Sequence, residues 1–274
     1  MSANITVEKT DAVAVLRFHN PDRGLMDSHT ETALGPALDD VEDDESIRAV
    51  VLTGGQPGIF IRHFDLSVLE RRGRDLAARG LTFSPSRPVP EAPLHKAFRR
   101  IERSAKPYVC AINGTAMGGG LELALCCDIR MVESGDYSLG QPEINAGLLP
   151  GAGGTQRLAR IVGIGRAMEI ALLGRSLSPA ETVRIGLASE CVDGPVLPRA
   201  MEIARLLAGK PPRALAHIKR LVHEAFDAPL DDRLAVERTL FCDLLVSADA
   251  LDAMARIQAT HGDIRREPAD EARR

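Results

Sequence analysis

The chain has 274 residues, with 34 basic against 38 acidic side chains and a formal net charge of −4. That balance, without any Lys/Arg-rich block, argues against a nucleic-acid binder that works by neutralising phosphates, and Trp 0, Tyr 2 and Phe 7 leave few aromatic platforms for stacking bases or sugars. A hydrophobic fraction of 45 % with 26 % charged residues fits a globular protein of one or two domains around an aliphatic core.

In chain order, Ile5 to Glu8 and Ala12 to Phe18 are rich in β-branched and aliphatic residues and read as strands. Ser28 to Val41 spaces Ala33, Leu34, Ala37, Leu38 and Val41 as one face of a helix, with Ser28 as its cap. Arg48 to Thr53 is a third strand closing on Gly54 and Gly55. Residues 73–92 mix a short helical pattern with prolines, serines and arginines and are expected to form a long surface excursion, after which Leu94 to Ile101 resumes helical spacing. The pattern then recurs: a strand Tyr108 to Ile112, a Gly-rich turn, an apolar helix Leu121 to Cys126, a strand Asp128 to Glu133 and a Gly/Pro-rich turn at Leu149 to Gly154. Repetition of this kind predicts a layered α/β core. From about Leu197 the chain turns helically periodic, and RREPADEARR at its end is expected to be disordered.

The cysteines Cys110, Cys126, Cys127, Cys191 and Cys242 include no Cys-x-x-Cys pair and lie mostly in apolar runs, so they are expected to be reduced core residues. Neither His-Glu-x-x-His nor a Cys/His cluster occurs, and no metal is predicted. The N-terminal MSANITVEKTDAV lacks the apolar run of a secretory signal, and no stretch of about 20 apolar residues occurs anywhere. A cytoplasmic protein without a membrane partner is expected.

Chemistry concentrates in NGTAMGGGLELALCCD, residues 113–128. Three consecutive glycines before an apolar helix let the backbone approach a ligand, and the free N–H groups of a helix start favour negative charge. A phosphate loop would need Gly-Lys-Ser/Thr here, and a dinucleotide fingerprint a G-x-G-x-x-G spacing; both are missing. Glu122 lies just inside the helix, and Glu143 follows in Gln141-Pro142-Glu143, ahead of the glycine turn. If the two converge, each raises the other's pKa and one can donate a proton while the other accepts.

Two stretches, NGTAMGGGLELALCCDIRMVES and LGQPEINAGLLPGAGGTQRLARIVG, resemble the enoyl-CoA hydratase/isomerase, or crotonase, superfamily; weaker resemblance runs through RAVVLTGG, GIFIRHFDL and the C-terminal helices. The resemblance implies an α/β protein, a crotonase-like stacked ββα spiral core over residues 1–196, with a C-terminal α-helical trimerisation region at 197–262 and a tail at 263–274. It implies a homotrimer or a homohexamer, no tightly bound cofactor, and coenzyme A only as part of an acyl-CoA or enoyl-CoA thioester substrate. Its carbonyl oxygen would accept the backbone N–H groups of Phe64 and Gly119, an oxyanion hole. Glu122 and Glu143 match both glutamates of a hydratase, and Gly151 a glycine lining the reacting end of the pocket.

Departures from the family pattern cluster in Arg62-His63-Phe64, where small residues are usual. His63 is thus a candidate contact to the substrate or a third acid/base group, and Arg23, in the turn after the second strand, the candidate contact to the coenzyme. The segment between Asp65 and Asn113 is longer than in short-chain hydratases, which makes a bulky or cyclic acyl group plausible, and the basic pattern usual after the final helix is not evident. The implied activity is hydration of a 2-enoyl-CoA. Its rivals are a double-bond isomerase or C–C bond hydrolase using His63, and a non-catalytic acyl-CoA-binding homologue in which Arg62-His63-Phe64 closes the hole.

Overall fold

The computed structural model describes residues 4–19, 23–259 and Ile264. Two compact units divide between Lys210 and Pro211. The first runs β1 (Asn4–Thr10), β2 (Val13–His19), α1 (Ser28–Glu42), β3 (Ala49–Gly54), β4 (Gly58–Ile61), α2 (Leu66–Ala78), α3 (Pro93–Arg103), β5 (Tyr108–Ile112), β6 (Gly114–Met117), α4 (Gly119–Leu125), β7 (Ile129–Glu133) and β8 (Leu139–Gly140). A 3-10 turn (Glu143–Ala146) follows, then α5 (Gly154–Val162), α6 (Ile164–Leu173), β9 (Ser176–Leu177), α7 (Pro179–Arg184), β10 (Glu190–Val192) and α8 (Val196–Ala208).

β1 and β2 form an antiparallel hairpin, and β2, β3, β5, β7 and β10 continue the sheet in parallel. Such strands are buried on both faces, which is why RAVVLT and YVCAI read as unbroken apolar runs. Side chains alternate accordingly. Val51, Val109 and Ala111 pack on Val196, Ala200 and Ala204 of α8, whereas Leu52, Cys110 and Ile112 face the main core with Leu38 of α1 and Phe98 of α3. Because α8 lies on the sheet, the helical region expected from residue 197 splits, and its first helix belongs with the core unit.

β4, β6, β8 and β9 make a second, smaller sheet from segments that the sequence presents as turns. Each pass of the chain lays one strand in the large sheet and the next in the small one before a helix returns: β3, β4, then α2 and α3; β5, β6, then α4. This is the stacked ββα spiral. Its passes are stitched at Asn113, whose Oδ1 accepts Gly54 N–H at 2.9 Å and whose Nδ2 donates to Gln56 O at 2.9 Å. A Cβ on Gly114 would lie 1.9 Å from the Gly58 carbonyl carbon, so only glycine fits there.

Helix α1 begins at the expected cap itself, and its cap lies one residue earlier. Asp27, not Ser28, accepts Thr30 N–H at 2.9 Å and His29 N–H at 3.0 Å, since a carboxylate preceding the first turn also complements the helix dipole. The excursion at 73–92 proves to be the end of α2 and an exposed irregular stretch before α3.

The second unit contains α9 (Pro212–His223), α10 (Leu230–Leu245) and α11 (Ala248–Ala259). Asp243 of α10 pairs with Arg213 and with His217 Nε2, the latter at 2.9 Å, tying α9 to α10. Cys110, Cys126 and Cys127 are buried as core residues, whereas Cys191 is half-buried and Cys242, on α10, is exposed. Apart from Ile264, the expected tail at 263–274 lies outside the described residues. Among the described residues no helix is long and apolar enough to cross a membrane.

Candidate active site

Glu122 sits in the first turn of α4 and is 3 % exposed. Its Oε1 accepts two backbone N–H groups from the glycine turn, Ala152 at 2.7 Å and Gly154 at 2.8 Å. Burial pushes this carboxyl up, and the amide bonds from Gly154 and Ala152, with the charge of Arg157 behind them, pull the other way. The Arg157 guanidinium is itself held by Glu102 at 2.6 and 2.7 Å and donates to Ala152 O at 2.7 Å.

Glu143 opens the 3-10 turn after β8. Its carboxyl is pushed up to about 7, first by burial and further by the nearby charge of Glu122. Gly118 stands between the two acids: Glu143 Oε1 lies 2.9 Å from the position its Cβ would take, and its carbonyl accepts the Glu122 backbone N–H at 2.9 Å. Gln141, wholly buried, sets one end of its amide 3.1 Å from both Glu143 carboxylate oxygens, and with the nitrogen at that end it donates to both. It lay in plain view in Gln141-Pro142-Glu143, but only its burial beside an acid marks it as part of the site.

The three glycines have different tasks. Gly118 has φ 51° and ψ −125°, and a Cβ there would lie 2.9 Å from Glu143 Oε1 and 3.6 Å from His63 Cβ. A Cβ on Gly120 would lie 2.1 Å from Ile61 O, so this glycine seats α4 against β4. Gly119, between them, meets nothing nearer than 3.6 Å, and the Phe64 nitrogen lies 3.9 Å from the position its Cβ would take. As the first residue of α4, Gly119 has an N–H without an intrahelical acceptor. Phe64 pairs with Met26 through its neighbours, Met26 N–H donating to His63 O at 2.9 Å and Asp65 N–H to Met26 O at 2.7 Å. The Phe64 N–H thus faces away from Met26.

Bulk at Phe64 is absorbed by α2, where the Arg72 guanidinium lies 5.6 Å from the ring centroid while pairing with Glu31 at 2.5 Å. His63, half-buried, donates from Nδ1 to Phe64 O at 2.7 Å. It does not occupy a left-handed conformation: among the described residues, Asp11 is the non-glycine with positive φ. Arg23 is exposed, 3.4 Å from Asp65, the residue that caps α2. Gly151 is exposed at the outer edge of the turn that holds Glu122, and its carbonyl accepts from His95 Nε2 at 3.0 Å. His95 and Arg157 went unnoticed in the sequence, since their partners lie far away along the chain.

A ββα spiral that sets two acids on either side of Gly118, next to the neighbouring backbone nitrogens of Gly119 and Phe64, defines a protein of the crotonase class. The family model for enoyl-CoA hydratase/isomerase matches residues 8–257, and the chain belongs to that family. It is 32 % identical to a short-chain-enoyl-CoA hydratase of Clostridium acetobutylicum, covering 92 % of this chain and 93 % of that protein, and 31 % identical to a crotonyl-CoA hydratase of Syntrophomonas wolfei, again over 92 % and 93 %. Among solved structures, an enoyl-CoA hydratase of Geobacillus kaustophilus superposes with a TM-score of 0.82 at 28 % identity, covering 95 % of each chain. Pseudomonas aeruginosa DspI superposes with a TM-score of 0.82 at 31 % identity, covering 94 % of each.

Proposed function

We propose that this protein adds water across the 2,3 double bond of an enoyl-CoA thioester. The observation that carries the reading is the unequal environment of the two carboxylates: Glu122 fixed by two amides, Glu143 pushed up to about 7. The thioester carbonyl oxygen accepts the N–H groups of Phe64 and Gly119, which stabilise the enolate-like charge; loss of one such donor typically lowers turnover by about 10²–10³. Glu122 Oε1 is engaged by the turn, so Oε2 takes a proton from water as the water oxygen bonds to the β-carbon. The electron pair of the double bond moves toward the carbonyl oxygen. Glu143, partly protonated near neutrality, delivers its proton to the α-carbon, and solvent returns the proton from Glu122 to Glu143. One water is added and both carboxyls regain their starting state.

To the same reading belong coenzyme A as part of the substrate rather than a bound cofactor, Arg23 as a contact to the coenzyme, Gly151 as a lining of the reacting end of the pocket, a cytoplasmic location, and assembly into a trimer or hexamer through the C-terminal helices. A second reading, double-bond isomerisation or C–C hydrolysis, is favoured by His63: donation from Nδ1 to Phe64 O leaves Nε2 to take up a proton. The deciding test follows the absorbance loss of crotonyl-CoA and of a bulkier enoyl-CoA with the wild type, Glu122→Gln and Glu143→Gln. Turnover that collapses in both variants supports hydration. Thioester binding without turnover of either substrate overturns it and directs the search to His63→Ala.

A further inference from the structure

We infer that His95 is a positioning residue of this site, fixing the turn Gly151-Ala152-Gly153-Gly154 so that its amides hold Glu122 in its reacting geometry. The inference rests on the hydration reading above. His95 stands in the first turn of α3, outside the segments that carry the family resemblance. Ala92 N–H donates to its Nδ1 at 3.2 Å, so that nitrogen carries a lone pair and the ring proton lies on Nε2. Nε2 lies 3.0 Å from Gly151 O, a group that can only accept. The cap at the start of α3 thereby sets the tautomer, and the tautomer sets a donor aimed at the turn.

Helix α3 reaches the turn a second time. Its Glu102 holds Arg157, and Arg157 donates to Ala152 O at 2.7 Å. Two successive carbonyls are therefore gripped from α3, one directly and one through Arg157, while two amides of the same turn grip Glu122 Oε1. The Gly151 end most needs the grip: it is exposed, and a Cβ there would find only Leu149 O within 4 Å, at 3.9 Å, so packing does not restrain it. Displacement of a reacting group by about 1 Å can lower turnover on the order of 10²-fold, and a loosened turn transmits its displacement to Glu122.

The test is steady-state hydration of crotonyl-CoA and a bulkier enoyl-CoA by the full chain as wild type, His95→Asn, His95→Gln and Glu122→Gln, with thermal unfolding of each. Asparagine places an acceptor where Nδ1 was and keeps the cap but cannot reach Gly151; glutamine places an amide nitrogen near Nε2 and keeps the donation. We expect His95→Asn to lose on the order of tenfold in kcat with KM nearly unchanged, and His95→Gln to recover most of it. Wild-type kcat in His95→Asn overturns the inference, as does equal loss in both variants tracking their loss of unfolding temperature. Glu122→Gln separates the two failures. If it is inactive while His95→Asn is not impaired, the positioning role alone falls; if it turns over like the wild type, or the wild type hydrates neither substrate, the reading of the site falls and the inference with it.

Discussion

Gln141 and Glu143 meet inside the protein, one end of the buried amide lying 3.1 Å from both oxygens of the acid. With its nitrogen turned to the acid, the amide orients the carboxylate and favours its ionised form, whereas burial and then the charge of Glu122 push the carboxyl up to about 7. The proton affinity of Glu143 is thus set by opposing neighbours.

The raised pKa predicts how stability responds to pH. Unfolded, Glu143 titrates near its ordinary value of 4.5; folded, near 7. Below about 4.5 it is protonated in both states. Between the two values folding takes up a proton, so stability falls as pH rises, and above 7 the native state bears the whole penalty of a buried charge. Glu143→Gln removes that penalty. The variant should unfold at a higher temperature than wild type at pH 8, by on the order of 2 kcal/mol in stability after allowing for partial exposure, and the difference should vanish at pH 4. Calorimetry at both pH values checks it; an equal difference at each would rule out this origin.

The same group predicts one pH profile shared by the two directions of the proposed reaction. Hydration by that mechanism needs a single proton on the pair, carried by Glu143, so kcat/KM for crotonyl-CoA should decline as pH rises through about 7. Hydration takes up no net proton, and dehydration of the 3-hydroxyacyl product starts from the same singly protonated pair, so its kcat/KM should decline in parallel. A kcat/KM that stays level through that region would show that another group moves the α-proton.

How much of this could be read in the sequence depends on the range of the contacts. Strands β3 and β5 were legible because burial on both faces leaves only apolar residues, and the glycines around Glu122 because the constraint is local. The small sheet was not: GIFI, GTAM and LG are too short and too rich in glycine for a period to show. Helix α5 escaped for a related reason, its first residue being a glycine whose N–H serves Glu122. Phe64 could be aligned, but where its ring goes depends on Arg72, brought to it by α2. The division at Pro211 was not legible because α8 and the helices after it share one periodicity, and the packing of α8 on the large sheet depends on contacts distant in sequence.

Alanine at Gly119 and at Gly120 should separate function from folding. At Gly120 the new Cβ would meet Ile61 O at 2.1 Å, and the backbone of β4 cannot yield without giving up its pairing; Gly120→Ala should express poorly or unfold at markedly lower temperature. At Gly119 the methyl meets ordinary contacts and should fold. It would lie 3.9 Å from the Phe64 nitrogen, beside the proposed site of the thioester oxygen, and if both N–H groups serve that oxygen turnover should fall by about 10² or more. A folded Gly119→Ala with wild-type kcat would mean that the amides of Gly119 and Phe64 do not serve the reaction together.

Arg72 and Phe64 should prove energetically coupled. The guanidinium stacks on the ring while donating to Glu31 at 2.5 and 3.1 Å and to Ser28 Oγ at 3.0 Å, so one side chain joins α2, α1 and the segment that presents the Phe64 N–H. A cation over an aromatic face at a partly exposed site contributes about 0.5–1 kcal/mol, and the aliphatic stem adds packing. Arg72→Ala should therefore destabilise the protein by about 1 kcal/mol. Because the ring is then released beside the N–H it carries, kcat should also fall severalfold. In the double variant with Phe64→Ala, the stability losses should be less than additive, by about 0.5–1 kcal/mol. Strict additivity would mean that Arg72 acts through Glu31 and Ser28 alone, and that the ring at Phe64 is held by the core.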